Sequence, residues 1–453
     1  MATTTKESLQ ARRFMNRRLR AALLEGDAES GRAPLARLGT GSYAGIFVTI
    51  ALLAIVGVIG VLRPGGSTAW QRPGAFIVAS ETGTRYVLLG GLLHPVLNYS
   101  SAKLLLGNQL HVVTASARSL ESSPRGPTIG IPLAPDSLPD AAHIVGTSWS
   151  VCAIGTATDD QPLRTAVVPG RLSAGTPVAA DDAYLARTGS GRTALIWSGH
   201  AHEIDERWLA ALGYRAADAL PVEDAFVAAL PAGERIAPPT IAGVGEPGPA
   251  LPGSAQPVVI GSIFADRLNA YYLMTRDGLA PITPLQADLL LADPRLAPAY
   301  GGSDPSPLPI SQAQVTDSTM APLPPVPAGE RAPDAAPTLT AFPAGEQQLC
   351  VRYADQQAPD LALGPAEPTS AGGTVQLPTG SGALVAARPN PTTPGTTVYL
   401  VTDTGVRYPV AGPRTLEQLG LSGVSVAQLP AQLVELLPVG PLLDPAAAAL
   451  PAP

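Results

Sequence analysis

The stretch Leu38–Leu62, LGTGSYAGIFVTIALLAIVGVIGVL, contains 25 residues and no charged side chain. At about 1.5 Å per helical residue, it is long enough to cross a hydrocarbon core of about 30 Å. A cleaved signal peptide is the alternative, since residues 67–69 offer small side chains at a cleavage-like spacing. The apolar run is longer than the apolar core of about 7 to 15 residues that signal peptides have, so we predict a retained transmembrane helix over 38–62.

The charges on either side of this stretch predict its orientation. Residues 1–37 carry eight basic and four acidic side chains, whereas acidic residues outnumber basic ones in the rest of the chain. Short basic flanks stay on the cytoplasmic side of a membrane. We therefore predict a single-pass protein of the inner (plasma) membrane with a cytoplasmic N-terminus and an extracytoplasmic body.

The segment before the span predicts an amphipathic helix over residues 4–24. Thr4 and Glu7 have the spacing of a capping box, and apolar side chains recur along one face at Met15, Leu19, Ala22 and Leu23. Such a helix lies on anionic lipid or binds a protein, and the alternative is that its arginines only set the topology. We predict that cytoplasmic partners bind Arg12, Arg13, Phe14, Arg17, Arg18 and Leu19.

The composition predicts a body of short elements with one covalent cross-link. Aromatic residues make up only 5% of the chain and prolines number 49, so the core must come mostly from Ala, Val, Leu and Ile in short helices and strands. The two cysteines, Cys152 and Cys350, both follow the predicted span. In an oxidising compartment two such cysteines pair more often than they stay free, so we predict a disulfide; metal ligation by two lone cysteines is a poor alternative.

An internal repeat is visible in the body. Four segments show short apolar runs around a turn glycine: FIVASETGTRYVLLGG (76–91), AYLARTGSGRTALIWSG (183–199), YYLMTRDGLAPIT (271–283) and VYLVTDTGVRYPVAG (398–412). We take Gly83, Gly191, Gly278 and Gly405 as equivalent turns. Short helical patterns follow at 101–107, 205–213, 284–291 and 415–420, and three units close on Pro-x-Gly at 124–126, 231–233 and 438–440.

These observations predict an α+β fold. A single N-terminal transmembrane helix precedes an exported body of four hairpin-helix repeats around a disulfide-linked central β region, because the cysteines lie in two strand-like runs, 148–154 and 347–353. Residues 304–343 contain ten prolines and are predicted to form a linker, and 438–453 an extended or frayed tail. The predicted domains are 1–37 (basic helix and linker), 38–62 (membrane helix), 68–139, 181–240, 255–303 and 391–453 (repeats, the last with the tail), 304–343 (linker), and 140–180 and 344–390 (central segments).

Several longer motifs resemble a known family. They are Arg13–Leu19, Leu93–Asn98 (LHPVLN), Ser101–Gly107 (SAKLLLG), Pro124–Asp136 (PRGPTIGIPLAPD), Trp149–Cys152 and Gly440–Ala448 (GPLLDPAAA). Together they resemble EccB, a membrane component of the type VII (ESX) secretion machinery of actinobacteria, and the resemblance covers essentially the whole chain. The block from His94 to Asp136 is its most specific part.

The resemblance implies a structural role. Proteins similar to this one assemble with EccC (the motor ATPase), EccD and EccE in an inner-membrane complex, and their exported domains associate with one another, with a mycosin protease as a further expected partner. The family's exported body is described as repeats around a central disulfide-linked region. The third segment of this chain departs from the pattern, because Gly278–Pro281 lacks the Gly-x-Arg-Tyr of the first and fourth segments.

The sequence gives little support to catalysis. Neither lysine, Lys6 or Lys103, follows a glycine, which excludes a P-loop, and no Gly-x-Ser-x-Gly motif exists. On a strand, His200 and His202 would share a face and could bind one metal if His94, His111 or His143 supplied a third ligand. We favour a polar turn leading into a helix near Asp205, and we predict no catalytic, cofactor-binding or metal-binding residue.

The predicted function is that of a structural subunit that anchors the core of a type VII secretion complex and oligomerises through its exported domain. Because some members of the family are described as ATP hydrolases, a membrane-anchored extracytoplasmic ATP hydrolase is one alternative. A peptidoglycan-binding module is another. The predicted partners are other membrane subunits and further copies of this chain, and no nucleic acid.

Overall fold

The computed structural model describes residues 5–25, 36–62, 68–156, 161–254, 257–322, 331–343, 347–354, 357–365, 375–390 and 393–452. The chain divides into two compact units. The first unit comprises residues 1–72, 77–83 and 113–123, and the second comprises 73–76, 84–112 and 124–453. Of the linker predicted within residues 1–37, residues 26–35 lie outside the described residues.

Ten α-helices occur in the described residues. They are α1 (Thr5–Glu25), α2 (Ala36–Leu62), α3 (Tyr99–Leu106), α4 (Ala117–Leu120), α5 (Asp224–Ala229), α6 (Pro284–Leu291), α7 (Gln312–Asp317), α8 (Pro413–Leu419), α9 (Ala431–Glu435) and α10 (Pro445–Ala448). Short 3₁₀ helices cover Ala69–Gln71, Gly107–Gln109, Ala141–His143, Glu206–Trp208, Ala210–Leu212, Ala216–Asp218 and Pro294–Tyr300.

The strands of the described residues are equally short. They are β1 (Ala75–Ala79), β2 (Arg85–Leu89), β3 (Leu92–Pro95), β4 (His111–Ala115), β5 (Gly146–Gly155), β6 (Arg164–Gly170), β7 (Thr176–Pro177), β8 (Asp182–Thr188), β9 (Thr193–Trp197), β10 (His200–Glu203), β11 (Leu220–Val222), β12 (Ile263–Ala265), β13 (Tyr271–Thr275), β14 (Gly278–Ile282), β15 (Leu308–Pro309), β16 (Thr338–Leu339), β17 (Gln347–Tyr353), β18 (Asp360–Pro365), β19 (Gly382–Arg388), β20 (Val398–Thr402), β21 (Arg407–Pro409) and β22 (Ala427–Pro430). An α+β fold is confirmed.

The first unit contains α1, α2 and α4. The predicted amphipathic helix is confirmed as α1, and the predicted transmembrane stretch lies within α2. Among the residues that the structure describes, however, no helix combines the length and the apolar character that crossing a membrane requires. At the start of α4, the backbone N–H of Ala117 donates to Oε2 of Glu81 (2.7 Å), which lowers the pKa of the Glu81 carboxyl.

The second unit is built around a five-stranded sheet in the order β6-β5-β17-β18-β7. Strands β5 and β17 pair antiparallel with Cys152 directly opposite Cys350, and their Cα atoms lie 4.0 Å apart. The two cysteines form a disulfide, so the predicted cross-link is confirmed. Segments that are separated by 198 residues of sequence therefore become neighbours in one sheet.

The largest hydrophobic core of the second unit lies against this central sheet. Trp149 and Val351 of β5 and β17 are fully buried there, together with Ile196 of β9, Val385 of β19 and Leu433 of α9. Most of β5 and β17 is buried, which is typical of strands covered on both faces. The core thus joins the central sheet to β9, which lies between its strands in the sequence, and to β19 and α9, which follow them.

Three other sheets of the second unit share one strand order. They run β10-β9-β8-β11 (with β16 also on β8), β14-β13-β12-β15 and β21-β20-β19-β22. In each, three antiparallel strands are followed by a fourth strand parallel to the first. A parallel return needs a crossover connection, which begins with the 3₁₀ turns after β10, with α6 after β14 and with α8 after β21. Strands β2 and β3 also pair antiparallel.

A recurring backbone contact closes these sheets. In each case, one residue of the third strand makes two backbone hydrogen bonds to a later segment. Its N–H donates to the carbonyl of one residue of that segment, and its carbonyl accepts from the N–H two positions further along the segment. The pairs, with their N···O distances, are Leu93 with Pro124 and Gly126 (2.8 and 3.2 Å), Ala201 with Pro231 and Gly233 (3.0 and 3.0 Å), and Arg407 with Pro438 and Gly440 (2.8 and 2.8 Å). Leu279 makes the same pair with Thr319 and Ala321 (2.9 and 2.8 Å). The predicted Pro-x-Gly motifs therefore form three of four matching contacts.

A ring lies against each glycine of these motifs. A Cβ added to Gly126, Gly233 or Gly440 would lie only 2.2–2.3 Å from a ring atom of His94, His202 or Tyr408, respectively. In the third sheet, the residue at the ring position is Ala280 and the residue at the glycine position is Ala321. Glycine therefore occurs where a ring must be accommodated and is absent where the ring is absent.

The proposed equivalence of the four turn glycines is wrong. Gly83 and Gly191 lie between the first and second strands of their segments, whereas Gly405 lies between the second and third strands and Gly278 is the first residue of the third strand. The similar short motifs reflect the common chemistry of hairpin turns, which favours glycine wherever the backbone needs φ > 0. The prediction of four equivalent repeats is therefore not confirmed in the form given above.

The helices predicted after the hairpins are present. They correspond to α3, α6, α8 and the 3₁₀ turns Glu206–Trp208 and Ala210–Leu212. Part of the predicted linker 304–343 pairs with other strands, because β15 lies beside β12 and β16 beside β8. The domain boundaries themselves stay predictions.

The predicted frayed C-terminal tail is wrong. Leu443 and Ala448 are fully buried in a core shared with Leu104, and the N–H of Ala452 donates to the carbonyl of Thr128 (2.8 Å). The apolar side chains of this proline-rich end thus find partners that are distant in sequence, which its composition did not indicate.

The contact between Gly440 and Tyr408 gives a stability prediction. Because a methyl group at Gly440 overlaps the Tyr408 ring, we expect Gly440→Ala to lower the free energy of unfolding by about 1–3 kcal/mol, measured by urea denaturation of the detergent-solubilised chain. In the Tyr408→Ala background, we expect Gly440→Ala to cost less, since the two positions are in contact.

Gly189→Ala is the matched control. Its added Cβ would meet nothing closer than Oδ2 of Asp224 at 3.6 Å, an ordinary contact, so the expected change is below about 0.5 kcal/mol. A Gly440→Ala variant no less stable than Gly189→Ala would show that the ring does not require the glycine.

The disulfide gives a second stability prediction. We expect the Cys152→Ala/Cys350→Ala variant to lose about 2–5 kcal/mol of unfolding free energy under oxidising conditions, because its unfolded state is no longer cross-linked. The parent under dithiothreitol should lose a similar amount, and the double variant should not respond to the reductant. A reductant effect on the double variant would attribute the loss to something other than this bond.

Candidate interaction sites

The predicted partner-binding residues lie together on α1. Phe14, Met15, Leu19 and Leu23 are 57–77% exposed, and the guanidinium of Arg18 lies 6.0 Å from the centre of the Phe14 ring. Arg12, Arg13 and Arg17 are also exposed. The helix thus presents apolar and cationic side chains to its surroundings, as an interface helix would.

The two neighbouring histidines lie on a strand, so the predicted polar turn is wrong. In β10, Nδ1 of His200 lies 2.9 Å from the carbonyl of Ser198, and Nδ1 of His202 lies 2.9 Å from the carbonyl of Glu234. Their ring centres are 6.5 Å apart, and the His202 ring lies 5.8 Å from that of Trp197. His202 is fully buried, so its ring serves the packing against Gly233.

The histidines named as possible third ligands lie in other settings. His94 contacts the carbonyl of Pro127, His111 that of Gln109, and His143 the carboxylate of Asp140 (2.9, 3.1 and 2.7 Å). Within the described ranges, no group of three His, Cys, Asp or Glu side chains is arranged to hold a metal ion.

The Arg-Tyr pairs of the hairpins make structural contacts. The guanidinium of Arg407 lies 5.2 Å from the centre of the Tyr399 ring on the neighbouring strand. Arg85 forms an ion pair with Asp136, and Tyr86 receives both a stacked guanidinium and a hydrogen bond (2.9 Å) from Arg125. Through these contacts the Arg-Tyr residues stabilise the hairpins.

A cleft of about 980 Å³ lies where the central sheet meets the elements around β8, β10, β19 and β22. Five of its lining residues are prolines: Pro177, Pro231, Pro359, Pro389 and Pro430. Its ionisable groups are Asp182, His200, Tyr353, Asp360 and Arg388. Asp360 is engaged with the half-buried Arg352, whose Nε lies 3.1 Å from both carboxylate oxygens.

Arg388 is the residue of this cleft that sequence reasoning missed. It ends β19, yet the residues around it come from positions 177 to 432. No local motif marks such an arginine, because the cleft exists only once distant strands pair. The ring partners of the Pro-x-Gly glycines were missed for the same reason.

A smaller cleft of about 560 Å³ is lined by residues 234–237, 281–286 and 331–333. The N–H of Ala332 donates to Oε2 of Glu234 (3.1 Å). Nearby in sequence, the hydroxyl of Tyr214 donates to the carbonyl of Pro337 (2.6 Å). Burial raises the pKa of Tyr214 to about 12. These bonds attach Ala332 and Pro337 to residues that follow β10 in the chain, while β16 pairs with β8.

Comparison with known proteins matches the chain to one family. The family described as "Type VII secretion system ESX-1, transport TM domain B" matches residues 1–452. The curated protein "ESX-1 secretion system ATPase EccB1" of Mycobacterium tuberculosis is 29% identical over 472 aligned residues, which cover 99% of this chain and 94% of that protein.

Solved structures show the same fold. A chain of "Structure of an intact ESX-5 inner membrane complex" matches with a TM-score of 0.59 at 22% identity and covers 100% of this chain and 96% of its own length. A chain of "Structure of EccB3 dimer from the ESX-3 core complex" matches with a TM-score of 0.59 at 25% identity, covering 83% of this chain and 100% of that one.

Tyr214 gives a prediction for the pH dependence of stability. Because its folded-state pKa of about 12 lies above the ordinary value of about 10, its stabilising contribution is complete below about pH 10 and is lost as the pH rises to about 12. We expect Tyr214→Phe to be less stable at pH 8 by about 0.5–1.5 kcal/mol, since the bond to Pro337 is lost. The difference from the parent should shrink between pH 10 and 12 in urea denaturation.

Tyr271→Phe is the control for this titration, since the structure gives the Tyr271 hydroxyl no hydrogen bond within the described residues. A constant gap between the parent and Tyr214→Phe from pH 8 to 12 would contradict the assignment.

Proposed function

The chain belongs to the EccB family of type VII (ESX) secretion systems, and we propose that it is a structural membrane subunit of such a secretion complex. The observation that carries the proposal is the family match, which extends over residues 1–452 and therefore includes the N-terminal helices as well as the disulfide-linked body. The fold agrees with this role, since its sheets form a body with buried cores and a cross-link between distant strands.

We propose that α2 anchors the chain in the inner membrane. The supporting observations are the uncharged stretch 38–62, the helical conformation of α2 and the exposure of its described side chains, of which Phe47 and Leu53 are 76% and 67% exposed. The family description also names a TM domain. The basic N-terminal flank favours a cytoplasmic N-terminus and an extracytoplasmic C-terminal body.

Contacts with other subunits are assigned to α1. Its exposed arginines and apolar side chains suit a protein interface, and subunits of the EccC, EccD and EccE type are the partners that family membership suggests. A related chain occurs in an ESX-5 inner membrane complex, which supports membership of such an assembly. A mycosin protease is a further proposed partner on the extracytoplasmic side.

The extracytoplasmic body is proposed to associate with copies of itself, which the EccB3 dimer supports. We also propose that the body contains four copies of one unit. The support is the shared strand order of three sheets and the matching backbone contacts of Leu93, Ala201, Leu279 and Arg407. These four residues, and not the turn glycines, are therefore the equivalent positions of the four proposed copies.

ATP hydrolysis is the second candidate function, because the M. tuberculosis relative is named an ATPase. The chain has no P-loop to carry it. The cleft of about 980 Å³ contains one arginine and two carboxylates, Asp182 and Asp360, which is a poor setting for a triphosphate. We therefore propose a structural role, and not ATP hydrolysis, as the function of the chain. The peptidoglycan-binding alternative stays a prediction.

Charge reversal on α1 tests the proposed interface. We expect Arg13→Glu/Arg17→Glu to release the cytoplasmic partners, because charge repulsion replaces attraction at the predicted contact. The measurement is the recovery of partner subunits when the tagged full-length chain is purified from membranes. Lys6→Glu/Arg20→Glu is the matched control, since it makes the same change of charge on the same helix outside the predicted residues. Equal losses from both variants would show that only the net charge of α1 matters.

Nucleotide turnover tests the second candidate. We expect the purified full-length chain to show no ATP hydrolysis beyond that of a mock preparation from cells lacking it. Turnover that persists after removal of contaminating ATPases, and that scales with the amount of chain, would favour the enzyme and contradict a purely structural role.

A further inference from the structure

The large cleft of about 980 Å³ contains an arginine whose partner is missing. Arg388 is half-buried at the end of β19, and its Nε atom is buried without a hydrogen-bond acceptor. The described part of the chain also gives Arg388 no ion pair, whereas Asp360, which lines the same cleft, is paired with Arg352. A buried donor without an acceptor is destabilising, so an anionic acceptor supplied by a ligand would be favoured here.

The walls of the cleft indicate what else the ligand carries. Proline has no backbone N–H, so the proline-lined walls offer apolar surface and few donors. Side-chain amides from Gln357 and Gln432 line the same space and both donate and accept hydrogen bonds. Apolar walls with a few amides match a peptide backbone and small apolar side chains.

The charges limit the ligand to one negative group. Asp360 is committed to Arg352, and Asp182 adds a second carboxylate to the lining. A polyanion would face repulsion from these acids, whereas a single carboxylate can pair with Arg388 while peptide N–H groups face Asp182. The volume lies within the range of about 300–1,000 Å³ that is usual for ligand pockets.

We propose that this cleft binds a short apolar peptide through one carboxylate, which pairs with Arg388. The carboxylate is either the C-terminus of the peptide or an acidic side chain. This binding is separate from the anchoring and assembly roles above and would hold if those failed.

The test uses the full-length chain in detergent and three synthetic peptides. Acetyl-Pro-Ala-Leu-Ala has a free C-terminal carboxylate, acetyl-Pro-Ala-Glu-Ala-amide has a side-chain carboxylate, and acetyl-Pro-Ala-Leu-Ala-amide has none. Saturation-transfer NMR titrations measure each dissociation constant. We expect at least one carboxylate peptide to bind at least about tenfold more tightly than the amide, and the tighter of the two identifies the source of the carboxylate.

Variants connect the binding to Arg388. Arg388→Gln should abolish the preference for a carboxylate, and Arg388→Lys, which keeps the charge but not the Nε donor, should retain part of it. Arg407→Gln is the matched control, because Arg407 also has a buried Nε without an acceptor in the same sheet but does not line the cleft. Circular dichroism checks that each variant is folded. Equal binding of the amide, an unchanged preference in Arg388→Gln, or no binding of any peptide at millimolar concentration would overturn the proposal.

Discussion

The pairing of β5 with β17 is the interaction on which the rest of the body depends. In the sequence, the sheets that begin with β8 and β12 both lie between these two strands. The register of the pair places Cys152 opposite Cys350, so the disulfide forms without a shift of either strand. The main core covers this ladder with side chains such as Ile196 and Val385 from other sheets. A separation of these two strands would therefore expose the core as well as break one sheet.

The smaller sheets depend on a different constraint, which is space. The third strand of three hairpins carries a ring, and the segment that returns to pair with that strand can approach only because it has glycine there. The fourth case, with Ala280 and Ala321, shows that ring and glycine change together. This correlation explains why the Pro-x-Gly motif is absent after the third hairpin.

Local patterns predicted what local physics determines. The apolar spacing of Met15 and Leu19 predicted α1, and the pattern over 284–291 predicted α6 to the residue. The disulfide followed from two cysteines in one compartment. The alignment of the turn glycines was wrong because similar turns connect different pairs of strands in the four segments. The packed C-terminus and the Arg388 cleft were missed because both depend on residues that are far apart in the sequence. A strand at His200–Glu203 was considered but not favoured, because the sequence HAHE shows no alternation of apolar and polar residues; the burial of His200 and His202 is seen only in the structure.

We expect the body to unfold as one cooperative scaffold centred on the β5–β17 ladder. Hydrogen–deuterium exchange of the full-length chain, followed by mass spectrometry, tests this most directly. We predict that peptides from β5 and β17 exchange together and among the slowest, and that reduction of the disulfide accelerates them along with β9 and β19, which share their core. Lasting protection of β9 and β19 after β5 and β17 have exchanged would contradict the account, because those sheets would then be stable without the ladder.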